Sequence, residues 1–238
     1  MNKIFLIGAS SVIANTLVDD FLKRNESFKL VKITRNPKFK NDINFHFVNN
    51  YEQIDEVFSL YTPSKNDLII LAFAYLGKTG YEENLPISLD IDNQNKVFTI
   101  NLKQMKTALN ISTNFLKNLG GTIIYFSSAA AYPVRNSNIP YGLSKRFIDE
   151  FIKKQRPYFE KTNIKVLSVR TGFVDTPLNK GRDKTPFSST PEKVAKAIMA
   201  ALRKNKKIVY VPGILSIITK TMTMLPRITN YLDKNLNN

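Results

Sequence analysis

Short apolar runs alternate with longer segments of helical periodicity along almost the whole 238-residue chain. The runs Lys3–Ile7, Lys29–Thr34, Asn44–Val48, Asp67–Phe73, Thr122–Phe126, Lys165–Val169 and Lys207–Val211 are rich in Ile, Val, Leu and Phe. They lack strict two-residue alternation, which predicts strands buried on both faces. Between them, Ser11–Arg24, Tyr51–Leu60, Asp90–Leu119, Tyr141–Lys161 and Thr190–Lys204 are predicted helices. End signals agree: Thr190-Pro191 offers a capping hydroxyl followed by proline at the first helical position, and Gly120-Gly121 closes the long central helix. Strand, helix, strand repeated in this way predicts an α/β fold, a doubly wound parallel sheet with helices on both faces. No repeat and no linker divides the chain, so a single domain is expected.

Composition narrows the chemistry. A hydrophobic fraction of 43% can build a core, and no low-complexity block points to disorder. The absence of cysteine excludes disulfides and thiolate metal sites. His46, the only histidine, falls in a predicted strand without an acidic cluster, so no metal site is expected. Lys and Arg outnumber Asp and Glu by 35 to 19, a formal net charge of +16. Such a balance favours a phosphorylated ligand, an anionic membrane surface or a nucleic acid. It is equally the result of a Lys- and Asn-rich composition that loads the surface without a function. No nucleic-acid-binding motif accompanies the charge, and no nucleic-acid partner is expected. The run Ile4–Ile7 ends in a small-residue loop and reads as a first core strand, not a leader segment. The longest apolar stretch, Leu68–Leu76, falls far short of the ~20 residues a transmembrane helix requires. The chain is expected to be soluble or peripheral.

In such sheets, ligands bind outside the carboxyl ends of the strands. Directly after the first strand stands Gly8-Ala9-Ser10-Ser11-Val12-Ile13-Ala14, followed by a helix. A small-residue turn at a helix amino terminus lets backbone N–H groups and the helix dipole meet a pyrophosphate, as in Rossmann-type dinucleotide folds. Many strand-to-helix turns contain glycine for structural reasons alone. The second strand ends at Thr34-Arg35-Asn36 with no acid to bond a ribose 2′-hydroxyl. An arginine there suits the 2′-phosphate of NADP, so NADP(H) is the preferred cofactor and NAD(H) the alternative. Arg35 could equally be a solvated loop charge.

The fifth strand run leads into Ser127-Ser128, and Tyr141-Gly142-Leu143-Ser144-Lys145 opens the next helix. Four residues apart, Tyr141 and Lys145 share a helix face. A free tyrosine titrates near ~10, and a neighbouring ammonium favours its phenolate, which makes it a usable general acid/base. Lys145 could also bond a nicotinamide ribose, and Ser128 could hold a substrate carbonyl. A lone Tyr-x-x-x-Lys is common by chance. Its place after a strand-end serine, in a chain that opens with a strand–loop–helix unit, is what gives it meaning.

On these residues the chain resembles the short-chain dehydrogenase/reductase (SDR) family over nearly its full length. The matching positions are Gly8-Ala9-Ser10-Ser11-Val12-Ile13, Asn101, Ser128, Tyr141 and Lys145. The resemblance implies an oxidoreductase with Asn101, Ser128, Tyr141 and Lys145 as its catalytic set, Asn101 supporting a water-linked proton relay from Lys145. It implies cofactor contacts at Gly8, Ser10, Ser11, Val12, Ile13, Arg35, Ala72, Phe73, Ala74, Tyr141, Lys145, Gly172, Val174 and Thr176. It further implies a catalytic nucleotide-binding domain over residues 1–212, with residues 213–238 as a basic amphipathic tail of the same domain, and a homo-oligomer, dimer or tetramer. Departures are visible. Val12 and Ala14 stand where the family has glycines, Ala72-Phe73-Ala74 replaces an Asn-Ala-Gly type loop, Asn49 replaces an adenine-contacting Asp, and Thr171 replaces a proline.

A narrower resemblance rests on Leu71–Gly77, Ser127–Ala130, Thr171–Leu178, Thr190–Ala195 and Val209–Pro212. These segments look like the reductase half of the decaprenyl-phosphoryl-ribose 2′-epimerase pair. The likeness implies a polyprenyl-phosphate- or nucleotide-linked keto-sugar substrate in polysaccharide synthesis, and an FAD-linked oxidase as partner. Alternatives are a related enzyme for an unrelated lipid or small-metabolite carbonyl, or a non-catalytic NADP(H)-binding regulator at membranes. From Gly213 the tail reads GILSIITKTMTMLPRITNYL, apolar with Lys220 and Arg227 interspersed. A basic amphipathic segment of this kind can lie in a membrane interface. It can equally be an ordinary helix covering the substrate pocket. The expected location is cytoplasmic, with peripheral contact at the inner membrane face through Gly213–Asn238.

Overall fold

The computed structural model describes residues 1–24, 27–82, 85–86, 90–181 and 185–225. Seven strands form one wholly parallel sheet: β1 (Asn2–Ile7), β2 (Phe28–Thr34), β3 (Phe45–Phe47), β4 (Leu68–Leu71), β7 (Gly121–Ser128), β8 (Ile164–Thr171) and β9 (Ile208–Val211), in the order β3-β2-β1-β4-β7-β8-β9. A small antiparallel pair, β5 (Tyr81–Glu82) and β6 (Leu85–Pro86), lies apart from it. All seven strand runs read from the sequence are sheet strands, because a strand covered on both faces must be apolar at successive positions. In β1, Ile4 and Leu6 pack on one face while Phe5 and Ile7 pack on the other, and all four are fully buried. Phe5 meets Phe58, Tyr61 and Phe115 edge-on at centroid distances of 4.7, 5.5 and 5.2 Å.

Helices α1 (Val12–Leu22) and α7 (Pro191–Arg203) cover the face that holds Ile4 and Leu6. On the other face lie α2 (Ile54–Phe58), α4 (Met105–Leu116), α5 (Ile139–Lys154) and α6 (Arg156–Lys161). The helix expected over Asp90–Leu119 is not uniform. Asp90 caps α3 (Ile91–Phe98), a wider π-helical turn spans Thr99–Gln104, and α4 follows. Such insertions concentrate at functional sites, and this one contains Asn101. The helix expected over Tyr141–Lys161 begins earlier, at Ile139, and breaks at Gln155, after which α6 starts at Arg156 with Pro157 in its first turn. The difference has a simple cause: Pro140 and Pro157 each occupy a first-turn position, where proline loses no hydrogen bond.

The order of strands reverses direction between β1 and β4, and the crevice outside their carboxyl ends is where doubly wound sheets bind nucleotides. Below the opposite ends, buried Asp67 accepts hydrogen bonds from Lys3 N and Ser64 N, both at 2.7 Å, tying β1 to β4. The tail supplies one described helix, α8 (Leu215–Met224). The remainder of the proposed tail, from Pro226, lies outside the described residues. No described helix is long and apolar enough to cross a membrane.

Candidate active site

The Gly8 loop crosses the sheet crevice at close range. Gly8 has φ of +89°, and a Cβ there would sit 2.8 Å from the Ala72 carbonyl carbon. Only glycine permits both the left-handed backbone and that approach. Backbone N–H groups of Gly8 and Ala9 donate to Ile33 O at 2.9 and 3.0 Å, fastening the turn to β2. Ser11 then caps α1, its hydroxyl accepting from Ala14 N, and Val12 is 41% exposed at the first turn. Ser10, Ser11, Val12 and Ile13 are thus gathered at a helix amino terminus in the crevice. Ala72, Phe73 and Ala74 follow β4 beside them, with Ala72 N donating to Ile7 O at 2.8 Å.

Arg35 stands one residue past the end of β2, as its place in the sequence implied. The structure adds two partners that the sequence did not reveal. Its guanidinium carbon lies 4.8 Å from the centre of the Tyr51 ring, and Nη1 donates to Gln104 Oε1 at 3.2 Å. Tyr51 in turn stacks on Phe73 with centroids 3.9 Å apart. Nε of Arg35 is buried and unbonded among the described residues. Of the N–H donors of the guanidinium, one on Nη1 is spent on Gln104.

The candidate catalytic residues come from three elements. Ser128 ends β7, Asn101 lies in the π-helical turn, and Tyr141 and Lys145 lie on the first turns of α5. Lys145 is only 1% exposed and donates from Nζ to Phe126 O at 2.8 Å. That ammonium lies 5.7 Å from the centre of the Tyr141 ring and 5.2 Å from that of Tyr125. Burial pulls its pKa from 10.5 down to about 8, with the Asp149 carboxylate opposing the fall. Lys145 is therefore mainly an ammonium at neutral pH. Ser128 Oγ accepts from Ala130 N at 3.1 Å. Both ends of the Asn101 amide are spent on the loop after β4: Oδ1 accepts from Tyr75 N at 2.8 Å and Nδ2 donates to Tyr75 O at 2.7 Å.

Beyond β8, Gly172 is pressed by α8, since a Cβ there would meet Leu215 Cδ1 at 2.8 Å. Val174 is buried and bridges to Ser189, while the Thr176 hydroxyl donates to Val174 O at 3.4 Å and Asn179 Nδ2 to the same oxygen at 2.9 Å. Among the described residues no group of three or more His, Asp or Glu could hold a metal ion. The sequence reading passed over Asp149 and Arg170, a buried ion pair at 2.9 Å beside this site. The i+4 step from Lys145 to Asp149 was visible, but the partner on another strand was not.

Comparison with known proteins agrees with this geometry. The family model for short chain dehydrogenases matches residues 76–186, which include Asn101, Ser128, Tyr141, Lys145 and the loop after β8. An uncharacterised oxidoreductase of Mycobacterium tuberculosis is 35% identical over 107 residues, 45% of this chain and 43% of its own. One of Streptomyces coelicolor is 30% identical over 162 residues, 68% of this chain and 62% of its own. The chain thus spans less than two thirds of the length of either relative. Among solved structures, a short chain dehydrogenase of Burkholderia cenocepacia in complex with NADP superposes with a TM-score of 0.79 at 18% identity, covering 95% of this chain and 94% of its own. The chain is thus similar to short chain dehydrogenases over residues 76–186 and to uncharacterised oxidoreductases over part of their length, and it shares the Rossmann-type fold of the Burkholderia structure.

Proposed function

We propose that the protein is an NADP(H)-dependent reductase that converts a ketone to a secondary alcohol, with Tyr141 as proton donor. The observation that carries this reading is the buried Lys145 ammonium, 5.7 Å from the Tyr141 ring, with Ser128 closing the neighbouring strand. The crevice suits a dinucleotide: Gly8 lets the turn after β1 pack directly on the backbone of Ala72 and Phe73, and the amino terminus of α1 follows that turn. Residues Gly8 and Ser10–Ile13 would hold the pyrophosphate, and Arg35 the 2′-phosphate. Ala72–Ala74 would line the adenosine side, and Gly172, Val174 and Thr176 the nicotinamide side. The Burkholderia relative's complex with NADP supports that choice, with NAD(H) as the weaker ligand. When bound, the reduced cofactor supplies hydride to the carbonyl carbon. Ser128 donates a hydrogen bond to the carbonyl oxygen, Tyr141 transfers its hydroxyl proton to that oxygen, and Lys145 stabilises the phenolate left behind. Asn101 keeps the loop after β4 in place beside them through its two bonds to Tyr75. Removing a general acid of this kind costs about 10²–10⁴-fold in rate. Tyr141→Phe should therefore abolish NADPH oxidation over a ketone panel, assayed beside NADH. Oxidation that persists at the unmutated rate overturns the mechanism.

The substrate reading is narrower and rests on the loops and the tail. We take a keto-sugar carried on a polyprenyl phosphate or nucleotide as the substrate, with an FAD-linked oxidase as the source of the ketone. The exposed edge of α8 favours membrane contact over a free nucleotide sugar. Ile214, Ile217 and Met224 are 46%, 62% and 80% exposed, and Lys220 lies between them. Ile217→Glu should lower flotation with anionic vesicles, and unchanged flotation counts against the lipid-linked form. A homo-oligomer would use the outer face of α5, where Leu143 and Phe147 are exposed.

A further inference from the structure

Beside the proposed proton-transfer residues lies a buried polar row that the reaction itself does not use. Ser127, Arg170 and Tyr210 are register partners on three adjacent strands, β7, β8 and β9. All three are linked to one carboxylate on α5. Asp149 Oδ2 accepts from Ser127 Oγ at 2.7 Å and from Arg170 Nε at 2.9 Å. Arg170 Nη1 passes the contact on to the Tyr210 hydroxyl at 2.7 Å, and its guanidinium lies 3.9 Å from the centre of the Tyr132 ring. The side chain of Asp149 is 1% exposed and that of Arg170 12%. A carboxylate this deep costs several kcal/mol to desolvate, so a merely structural contact is a poor reason to keep it. Asp149 also stands one helical turn beyond Lys145, which stands one turn beyond Tyr141, so the three share a face of α5.

We propose that Asp149 is the positioning residue of this site: bonded to Ser127 and Arg170, it locks the register of α5 on the end of β7 and serves as the counter-charge to the Lys145 ammonium. This rests on reading Lys145 as the partner of Tyr141. The charges and hydroxyls around Asp149 come from every neighbouring element. They are Ser127 and Tyr125 on β7, Arg170 on β8, Tyr132 in the turn after β7, Lys145 on α5 and Arg156 on α6, with Arg146 and Glu150 of α5 acting on Tyr132. Oδ2 carries both hydrogen bonds, whereas Oδ1 is buried without one among the described residues. Arg170 pairs with the carboxylate at 2.9 Å, and the Asp149 charge still acts on Lys145 one turn back along α5. Asp149 is the one group that acts to raise the Lys145 pKa against burial. Burial works to lower Arg170, yet Asp149, Tyr210 and Tyr132 outweigh it, so Arg170 stays charged and the carboxylate stays fixed.

The test reads Lys145 directly. Protein labelled with [6-¹³C]lysine is titrated by NMR, the buried Lys145 signal being assigned by its loss in Lys145→Arg. In Asp149→Asn the Lys145 midpoint should fall by about 1 unit or more. The alkaline limb of NADPH oxidation should fall by the same amount, with the acid side of the profile unchanged. If Asp149→Asn does not fold, the double variant Asp149→Leu/Arg170→Met replaces the pair with apolar side chains, an exchange that buried pairs tolerate. It is expected to show a smaller downward midpoint, because the Arg170 charge that opposes the Lys145 proton is removed as well. A Lys145 midpoint equal to that of the unmutated protein in whichever variant folds overturns the proposal. So does a rate loss that is uniform with pH. The NMR arm needs neither substrate nor cofactor, so a protein without reductase activity would sink the function while leaving the positioning role measurable.

Discussion

Lys145→Met should make the protein more stable while removing its activity. The fall in the Lys145 pKa from 10.5 to about 8 corresponds to a burial cost of about 3 kcal/mol. Methionine has similar length and no charge, and it loses one hydrogen bond, the 2.8 Å contact to Phe126 O. Allowing about 1 kcal/mol for that bond leaves a net gain of about 2 kcal/mol at neutral pH. In a domain of this size such a gain raises Tm by about 4–8 °C. The pH dependence fixes the sign. Below pH 8 the lysine is charged in both folded and unfolded chains, and the full cost is present in the unmutated protein. Between 8 and 10.5 the unfolded chain binds the proton that the folded one has lost, so stability of the unmutated protein rises with pH and the variant's advantage shrinks. Urea unfolding at pH 7 and again above pH 10.5, with Cm read at constant m, measures both ends. A variant that is less stable at neutral pH, or an advantage that persists undiminished above 10.5, would refute the reasoning.

Gly8→Ala should cost about 1–3 kcal/mol from the forced left-handed backbone, and it should also weaken nucleotide binding, because its Cβ collides with the Ala72 carbonyl and pushes the turn after β1 out of place. Thermal unfolding and NADPH fluorescence titration check the two effects separately; unchanged binding would deny Gly8 a place at the cofactor. Arg35→Ala should raise the KM for NADPH by about 10–100-fold and leave that for NADH nearly unchanged, since a charge-assisted hydrogen bond contributes about 1.5–3 kcal/mol. Equal effects on both cofactors would mean that Arg35 serves only its contacts with Tyr51 and Gln104.

The candidate site was legible in the sequence to the extent that it is local. Tyr141 and Lys145 are set by helical spacing, Ser128 by a strand end, and Gly8 by a turn that tolerates no side chain. The π-helical turn at Asn101 was not legible. An insertion of this kind leaves the apolar pattern of α3 and α4 almost intact, and the long helix read as continuous. The partners of Arg35 were hidden for another reason: Tyr51 and Gln104 meet it across sheet and helix, and separation along the chain says nothing about such a meeting.

By itself, the sequence determined the seven strands, most of the helices between them, the parallel α/β sheet and the placement of Ser128, Tyr141 and Lys145, while Asn101 came only from the family resemblance. All but Asn101 follow from short-range rules of periodicity, capping or spacing. Only the tertiary structure decided which charges are buried and against what. The Asp149–Arg170 pair joins residues 21 positions apart, and its strength and its reach toward Lys145 depend on the exclusion of water by three strands and a helix. Desolvation depends on all the atoms around a group, and that is why the protonation of Lys145 could be read only from the folded chain.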